Sequence, residues 1–536
     1  MAGVVEIVLS PSVLIWPPLL FLIGNIVVFI LNTLRPKAFP PGPRPLSGLG
    51  NLLQLDRAFP FLTYGALAKD YGNDTPLGIK RSSANVVVLN SSRLVHELFD
   101  KRGAVYADRP WLFLNTHRKE FNNNFSPTAI TKLRPVYDAE SARLLVKLLE
   151  SPTARKEDLE EILVCWMISV PCLGVCGRRP DYMTDYGFDS RQFRRCNEDY
   201  AALGAPSLRD LIPFLRRLPF FGMTEWKERA QAVRVGVLHV GTQFLNAAKE
   251  QRAALDAGKP ISWESVLARM LREQRENNDH MFTVTDMGNA GFHIASTATS
   301  APLAFLQNML LTLAKHPEVQ QRVRNELLEV SGSAPPKASD VPSWRYFEAF
   351  WNEVHRWRPV APQAVPHVPT QDDVYNGHRI PKGTAVIMNV WNIHHSEEDY
   401  EVSENFIPER FLRHPFGMRL DNAHDPARME ASSTRVHYDF GAGRRICPGM
   451  HLAKLNMLLG VAKMLWAFEI LPPEGKDIDL SLETGLVQGT ALAHKDFDII
   501  LKLRDQSFKQ AIREHYSQSY EAEAEVFGWK DGECKW

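Results

Sequence analysis

The chain has 536 residues, enough for about three or four average domains or for one large core. Hydrophobic residues make up 45% and charged residues 23%, and the 62 basic and 62 acidic side chains cancel, so bulk charge gives no reason to bind nucleic acid or another polyanion. Six cysteines (Cys165, Cys172, Cys176, Cys196, Cys447 and Cys534) are too few for a disulfide scaffold and include no C-x-x-C pair for zinc, which points to a reducing compartment.

Val13 to Leu31 is a run of 19 residues without a charge, long enough to cross a hydrocarbon layer as a helix. A cleaved signal peptide has a basic start and a shorter apolar run. Here Glu6 is the one early charge, and Arg35 and Lys37 come after the run, an arrangement that places the rest of the chain on the cytosolic side. Residues 1–34 are therefore expected to be a single transmembrane anchor. Pro17, Pro18 and Asn25 leave open a second reading, an amphiphilic hairpin lying in one leaflet. Pro36 and Pro40-Pro41-Gly42-Pro43-Arg44-Pro45 exclude helix and predict a stiff extended hinge over 35–53.

No similar linker recurs, so 54–503 is expected to form one body, mainly α with small β-sheets. Pro76 to Asn90 alternates and ends in Val86-Val87-Val88-Leu89, a hairpin signature. Leu159 to Val170, Trp226 to Leu255 and Pro317 to Val330 carry apolar residues at helical spacing. Turns and short strands are expected from Asp373 to Asn389, marked by Asn376-Gly377 and Pro381-Lys382-Gly383. The tail, 504–536, is acidic around Glu521-Ala522-Glu523-Ala524-Glu525 and is predicted to be a solvated helix or disordered.

Phe440-Gly441-Ala442-Gly443-Arg444-Arg445-Ile446-Cys447-Pro448-Gly449 stands just before a helical pattern that opens with Leu452, Leu455, Leu458 and Leu459. A helix N-terminus favours negative charge and the adjacent arginines add positive charge, so this thiol is placed to ionise and to ligate iron. Taken singly, such a cysteine is more often a buried structural residue. Glu353 and Arg356, three apart on a helix, can pair; Phe350, Trp351 and Trp357 beside them favour a buried pair over a solvated one.

The positions Phe440, Gly443, Arg445, Cys447 and Gly449 match F-x-x-G-x-R-x-C-x-G, and by it the chain resembles the cytochrome P450 superfamily, most closely fungal microsomal members. Glu353-Val354-His355-Arg356 resembles the family's E-x-x-R, and Pro408-Glu409-Arg410-Phe411 its P-E-R-F. The resemblance implies a single cytochrome P450 fold behind the anchor, haem b ligated by Cys447 with Phe440 packed beside it, and a buried ion triad of Glu353, Arg356 and Arg410. It implies haem-propionate partners at Arg445, His367 and Arg118, though His367 taken alone reads equally as an ordinary turn histidine. It also implies NADPH-derived electrons from a membrane-bound flavoprotein reductase, a lipophilic small-molecule substrate, attachment to the endoplasmic reticulum membrane, and monooxygenation in secondary metabolism or xenobiotic oxidation. A haem-dependent isomerase or dehydratase, or a degenerate haem-binding relative, remain the alternatives.

Two segments depart from the family pattern. Its central helix carries [AG]-G-x-[DE]-T-[TS], whose acid and alcohol deliver protons during oxygen activation. Counting back from Leu313-Ala314-Lys315-His316-Pro317 puts Ser300, Ala301 and Pro302 in the last three places, whereas a register two residues earlier puts Thr299 and Ser300 in the alcohol positions. Neither register has a carboxylate, and Thr299 and Ser300 are the candidate catalytic hydroxyls. Pro302 is expected to free the Ala298 carbonyl and bend the helix. The second departure lies between Asp108-Arg109-Pro110 and Thr116-His117-Arg118, where the connection is about 20 residues shorter than the family pattern and Leu114 stands in place of a tryptophan.

Overall fold

The apolar spacing read along the chain resolves, in a computed structural model, into a series of helices and nine short strands among the described residues. Those residues are 11–109, 126–151, 156–181, 189–203, 223–277, 282–420, 435–489 and 491–529. The helices that build the core and the site are, in chain order, α1 (Pro11–Asn32), α2 (Arg134–Glu150), α3 (Lys156–Cys176), α4 (Ser190–Leu203), α5 (Met223–Asp256), α6 (Val284–Thr297), α7 (Ser300–Lys315), α8 (Arg345–Trp357), α9 (Met450–Ala467) and α10 (Phe508–Phe527). The helix Pro317–Ser331 opens on its proline, whose missing N–H costs nothing at a first helical position. Thr283 and Asp286 form a reciprocal capping box at the start of α6.

Strands β1 (Leu77–Arg81) and β2 (Ala84–Leu89) form the expected hairpin, and β2 runs parallel to β5 (Ala385–Met388), with Val86 opposite Ala385. β3 (Asp373–Tyr375) and β4 (His378–Ile380) are joined through Asn376 and Gly377, both at positive φ, as a two-residue hairpin turn requires. β6 (Phe468–Leu471) pairs with β9 (Ile500–Leu503), and β7 (Leu486–Gln488) with β8 (Leu492–His494). One continuous apolar core joins α2, α3, α5, α7, α8, α9 and α10, with Leu306, Leu310, Phe350, Val354, Leu458 and Leu465 inside it. Helices therefore carry the core and the small sheets lie at its margin.

α1 is a 22-residue helix with Trp16, Leu20, Phe21, Val28 and Leu31 exposed. The proline segment after it, expected as a stiff extended hinge, is also tied down by side-chain hydrogen bonds. The Arg35 guanidinium donates to the carbonyls of Pro40, Pro43 and Gly78, at 2.7, 2.9 and 3.2 Å, and Gly78 N–H donates to Pro41. Gly48 N–H donates to the buried Thr33 hydroxyl at 2.9 Å, so the segment is fastened to β1 at one end and to the end of α1 at the other. Prolines leave carbonyls without local partners, and one arginine gathers them.

The tail departs from expectation. Ile512, Tyr516, Tyr520, Val526 and Phe527 of α10 are buried against the core, and Glu523 lies fully inside. Arg179, itself inaccessible, pairs with both Glu140 of α2 and Glu523, and stacks beneath Trp529. Burial works to raise the Glu140 carboxyl, but Arg179 and Arg143 hold it below its ordinary value; burial and the neighbouring Glu140 charge push Glu523 well above. Of the two carboxyls that Arg179 reaches, Glu140 is therefore the readier to ionise and Glu523 the readier to hold a proton. Glu523→Gln should leave the urea unfolding free energy within about 1 kcal/mol of wild type, whereas Glu140→Gln should remove about 3–5 kcal/mol. Equal losses would show that both carboxyls are ionised.

Candidate active site

α8 turns Phe347, Phe350, Trp351 and Val354 into the core, and the same helix carries Glu353 and Arg356 with no solvent exposure. A fully buried carboxylate persists only when charge and hydrogen bonds replace its water. Arg356 Nε and Nη2 each donate to Glu353 at 2.8 Å, Arg410 Nε donates to it at 3.1–3.2 Å, and Ile407 N–H adds a fourth bond at 2.8 Å. Arg356 then reaches the carbonyls of His394, Ser403 and Asn405. Glu353, Arg356 and Arg410 thus come together, and they fix the strand-poor stretch 394–410 against α8.

His355, on the next face of α8, reaches the cysteine loop. Its Nδ1 donates to Asp439 at 2.8 Å, and Asp439 also accepts the N–H groups of Val360 and Ala361. The imidazole is stacked between Phe305 and His437, with ring centroids at 3.7 and 4.2 Å, and Phe440 lies 5.0 Å away. Burial pushes the Asp439 carboxyl up to about 6 and holds His355 and His437 well below the usual imidazole range. His355 is therefore a neutral donor to Asp439, the residue before Phe440.

From Phe440 the chain curls so that Cys447 N–H donates to the Phe440 carbonyl at 2.8 Å, and α9 begins three residues later at Met450. The curl needs positive φ at Gly441 (+84°) and Gly443 (+60°), and a Cβ at Gly443 would strike the Phe99 carbonyl. Gly443 N–H donates to Asp100, which also pairs with Arg435 at 2.6 Å. Phe440, Arg445 and Cys447 stay partly exposed, whereas α9 is buried from Asn456 to Ala467. The cysteine thus stands partly exposed just before a long helix, in a loop that also carries Arg445.

His367 is 4% exposed, stacks on Phe99 at 3.9 Å and donates from Nδ1 to the Tyr106 carbonyl at 2.8 Å. Burial, with Arg109 and Arg445 adding positive charge, lowers its imidazole to about 3. Arg445 gives its Nε to the Ala107 carbonyl at 2.5 Å, and its terminal nitrogens have no partner among the described residues. Arg109 braces the same region, donating to the carbonyls of Val365, Pro366 and Arg445. The structure therefore brings His367 and Arg445 together in one positively charged corner beside the cysteine loop. Arg118, Leu114 and Thr116 lie outside the described residues.

The central helix does not bend at Pro302; it stops and restarts. α6 ends at Thr297, Ala298 and Thr299 bridge the break, and α7 begins at Ser300. Pro302 sits in the first turn of α7, where its missing N–H needs no intrahelical partner, so the proline starts a helix and does not kink one. Thr299 is buried and its hydroxyl donates to the Ala295 carbonyl at 3.0 Å. Thr299 thus stands at the break with Ser300 next, and Ala301 lies within α7. Ser300 accepts from Asn197 of α4, a residue that sequence reasoning missed. Its signal was Phe193, Asn197 and Tyr200 at i, i+4 and i+7, one polar side chain in an aromatic stripe.

A mainly helical body, a half-exposed cysteine in a glycine turn, and an interrupted central helix define a haem-thiolate fold class. The cytochrome P450 family model matches residues 40–499, and the chain belongs to that family. Among curated relatives, cytochrome P450 monooxygenase grgG of a Penicillium species is 67% identical over 555 residues, covering 99% of this chain and all of the relative. That alignment is longer than the chain, so the relative carries residues that this chain lacks. Cytochrome P450 monooxygenase yanC of Aspergillus niger is 30% identical over 91% of the chain and 93% of the relative, and patI of Penicillium expansum 29% identical over the same shares.

The geometry around Glu353 sets a stability test. Glu353→Gln keeps the shape but leaves Arg356 and Arg410 buried without a counter-charge, so urea unfolding should show a loss of about 3–5 kcal/mol. A loss under about 1 kcal/mol would mean that the two guanidinium groups are satisfied by backbone carbonyls alone.

Proposed function

We propose that the chain is a haem-thiolate monooxygenase that inserts one oxygen atom from O₂ into a lipophilic small molecule, in fungal secondary metabolism. The observation that carries this reading is the half-exposed Cys447, among the described cysteines the one set in a glycine turn at a helix N-terminus with cationic neighbours. The donor set fits haem b: a single thiol for the iron, Phe440 beside it, and Arg445 with His367 for the two carboxylates. Arg118 completes the set in the family pattern. A carboxylate placed beside His367 would raise its imidazole, because Nδ1 is already committed to Tyr106 and Nε2 can donate only when the ring is charged.

When bound, the haem supplies reductive activation of O₂. The chain's residues do the remaining work. Cys447 N–H and the Phe440 carbonyl lock the loop that holds the thiol, Asp100 and Asp439 fasten that loop from either side, and the hydroxyls at the α6–α7 break hold protons. Electrons come from NADPH through a membrane-bound flavoprotein reductase. Residues 1–34 anchor the protein in the endoplasmic reticulum membrane with the body, 54–503, on the cytosolic face. The exposed apolar side chains of α1 support this, and the Arg35 clamp stiffens the 35–53 hinge.

The purified protein, reduced under carbon monoxide, should show the red-shifted Soret band of thiolate ligation, and Cys447→Ala should lose it while staying folded. Retention of the band in that variant would contradict the assignment. Product formation that continued without O₂ and reductase would favour a haem-dependent isomerase or dehydratase. A normal band with no spin shift for any lipophile would favour a relative without turnover.

A further inference from the structure

Four hydroxyls surround the break between α6 and α7, and three of their protons are already used. Thr297 donates to the Ile294 carbonyl at 2.8 Å, Thr299 donates to the Ala295 carbonyl at 3.0 Å, and Ser296 donates to the Asn197 side-chain oxygen. Ser300 differs. Its oxygen accepts from the Asn197 side-chain nitrogen at 3.0 Å, and its own proton has no acceptor among the described residues. A hydroxyl carries one proton and two lone pairs, so a donor aimed at Ser300 leaves its proton and one lone pair for another partner.

Asn197 is 3% exposed and cannot turn away to solvent. It sits on α4 between Phe193 and Tyr200, which pack edge-on against Phe292 of α6 at 5.7 and 5.8 Å, and Tyr200 also lies against His293. These contacts hold the amide across the break, with its acceptor end on the last turn of α6 and its donor end on the first turn of α7. Burial of an amide is favourable only while both ends are used, which ties α4 to the break in one geometry.

We propose that Asn197 is a positioning residue that orients the Ser300 hydroxyl, and that Ser300 is thereby the proton-relaying group of a helix without the family's carboxylate. This rests on the monooxygenase reading above. In the relay, the Ser300 O–H proton passes to a water at the break while the remaining lone pair takes a proton from a second water, so the hydroxyl ends as it began. Thr299, whose proton is held by Ala295, shapes the break and does not supply the proton.

The test uses the full-length, haem-loaded protein with a flavoprotein reductase, NADPH and O₂ as the only probes, and measures hydrogen peroxide released per NADPH consumed. Asn197→Ala and Ser300→Ala should each raise that fraction by about threefold or more, and Ser296→Ala, which removes only the donor at the far end of the amide, should raise it less. A bridge that served only to hold the helices together would make Ser296→Ala and Ser300→Ala equal. A rise for Ser296→Ala alone would mean that the amide points the other way. Either result overturns the proposal, as does an unchanged fraction in Asn197→Ala. Amide hydrogen exchange over 296–300 should quicken about fivefold in Asn197→Ala, the worth of one buried hydrogen bond, and unchanged exchange would also overturn it. The carbon monoxide spectrum separates the two levels: a wild type lacking the thiolate band refutes the monooxygenase reading, while exchange still decides whether Asn197 holds the break.

Discussion

The buried charge of Glu353 is the constraint on which the rest of the site depends. A carboxylate with no solvent contact must be surrounded by donors, and those donors come from two separate stretches: Arg356 on α8, and the Ile407 amide with Arg410 at the end of the 394–410 stretch. Satisfying one anion therefore fixes where those stretches run. The same helix sends His355 to Asp439, and Asp439 directly precedes Phe440, whose carbonyl receives the Cys447 amide. The position of the thiol is set through α8 by two polar anchors, both dry.

The break in the central helix is built on a different principle. α6 and α7 are one helix interrupted where Ala298 and Thr299 bridge them, and the interruption is stabilised by side-chain hydroxyls bonding back to carbonyls, which compete with the backbone ladder. With no carboxylate at the break, proton traffic there depends on which hydroxyl has an unspent proton. Asn197 on α4 decides that, so the chemistry of the break is linked to the packing of a helix distant in sequence.

The cysteine loop, the Glu353–Arg356 pair, the hairpin and the long helices were legible in the sequence because each rests on local spacing: glycines where φ must be positive, an acid and a base one turn apart, apolar residues at helical or alternating period; Arg410, 57 residues from Glu353, came only from the family resemblance. What was not legible rests on tertiary partners. The acidic run at 521–525 looked solvated because its charge was summed, whereas its phase matters: Tyr516, Tyr520, Glu523 and Phe527 share one face, and that face meets Arg179 and α2. The prolines of 36–45 forbid helix but do not say that Arg35 collects their carbonyls. Pro302 signals a disturbance in the helix, and only its position relative to the new N-terminus tells a restart from a kink. Asn197 had to be seen across the break to be given a role.

The central claim is that the glycine turn before α9 presents one sulfur, that of Cys447, to haem iron. Resonance Raman spectra of the ferric protein, prepared with natural and with ³⁴S-labelled cysteine, test this most directly. An iron–sulfur stretching band that moves to lower frequency with the heavy isotope is the expected result. A spectrum that shows no band sensitive to the label would mean that the iron is held by another ligand, and would contradict the account.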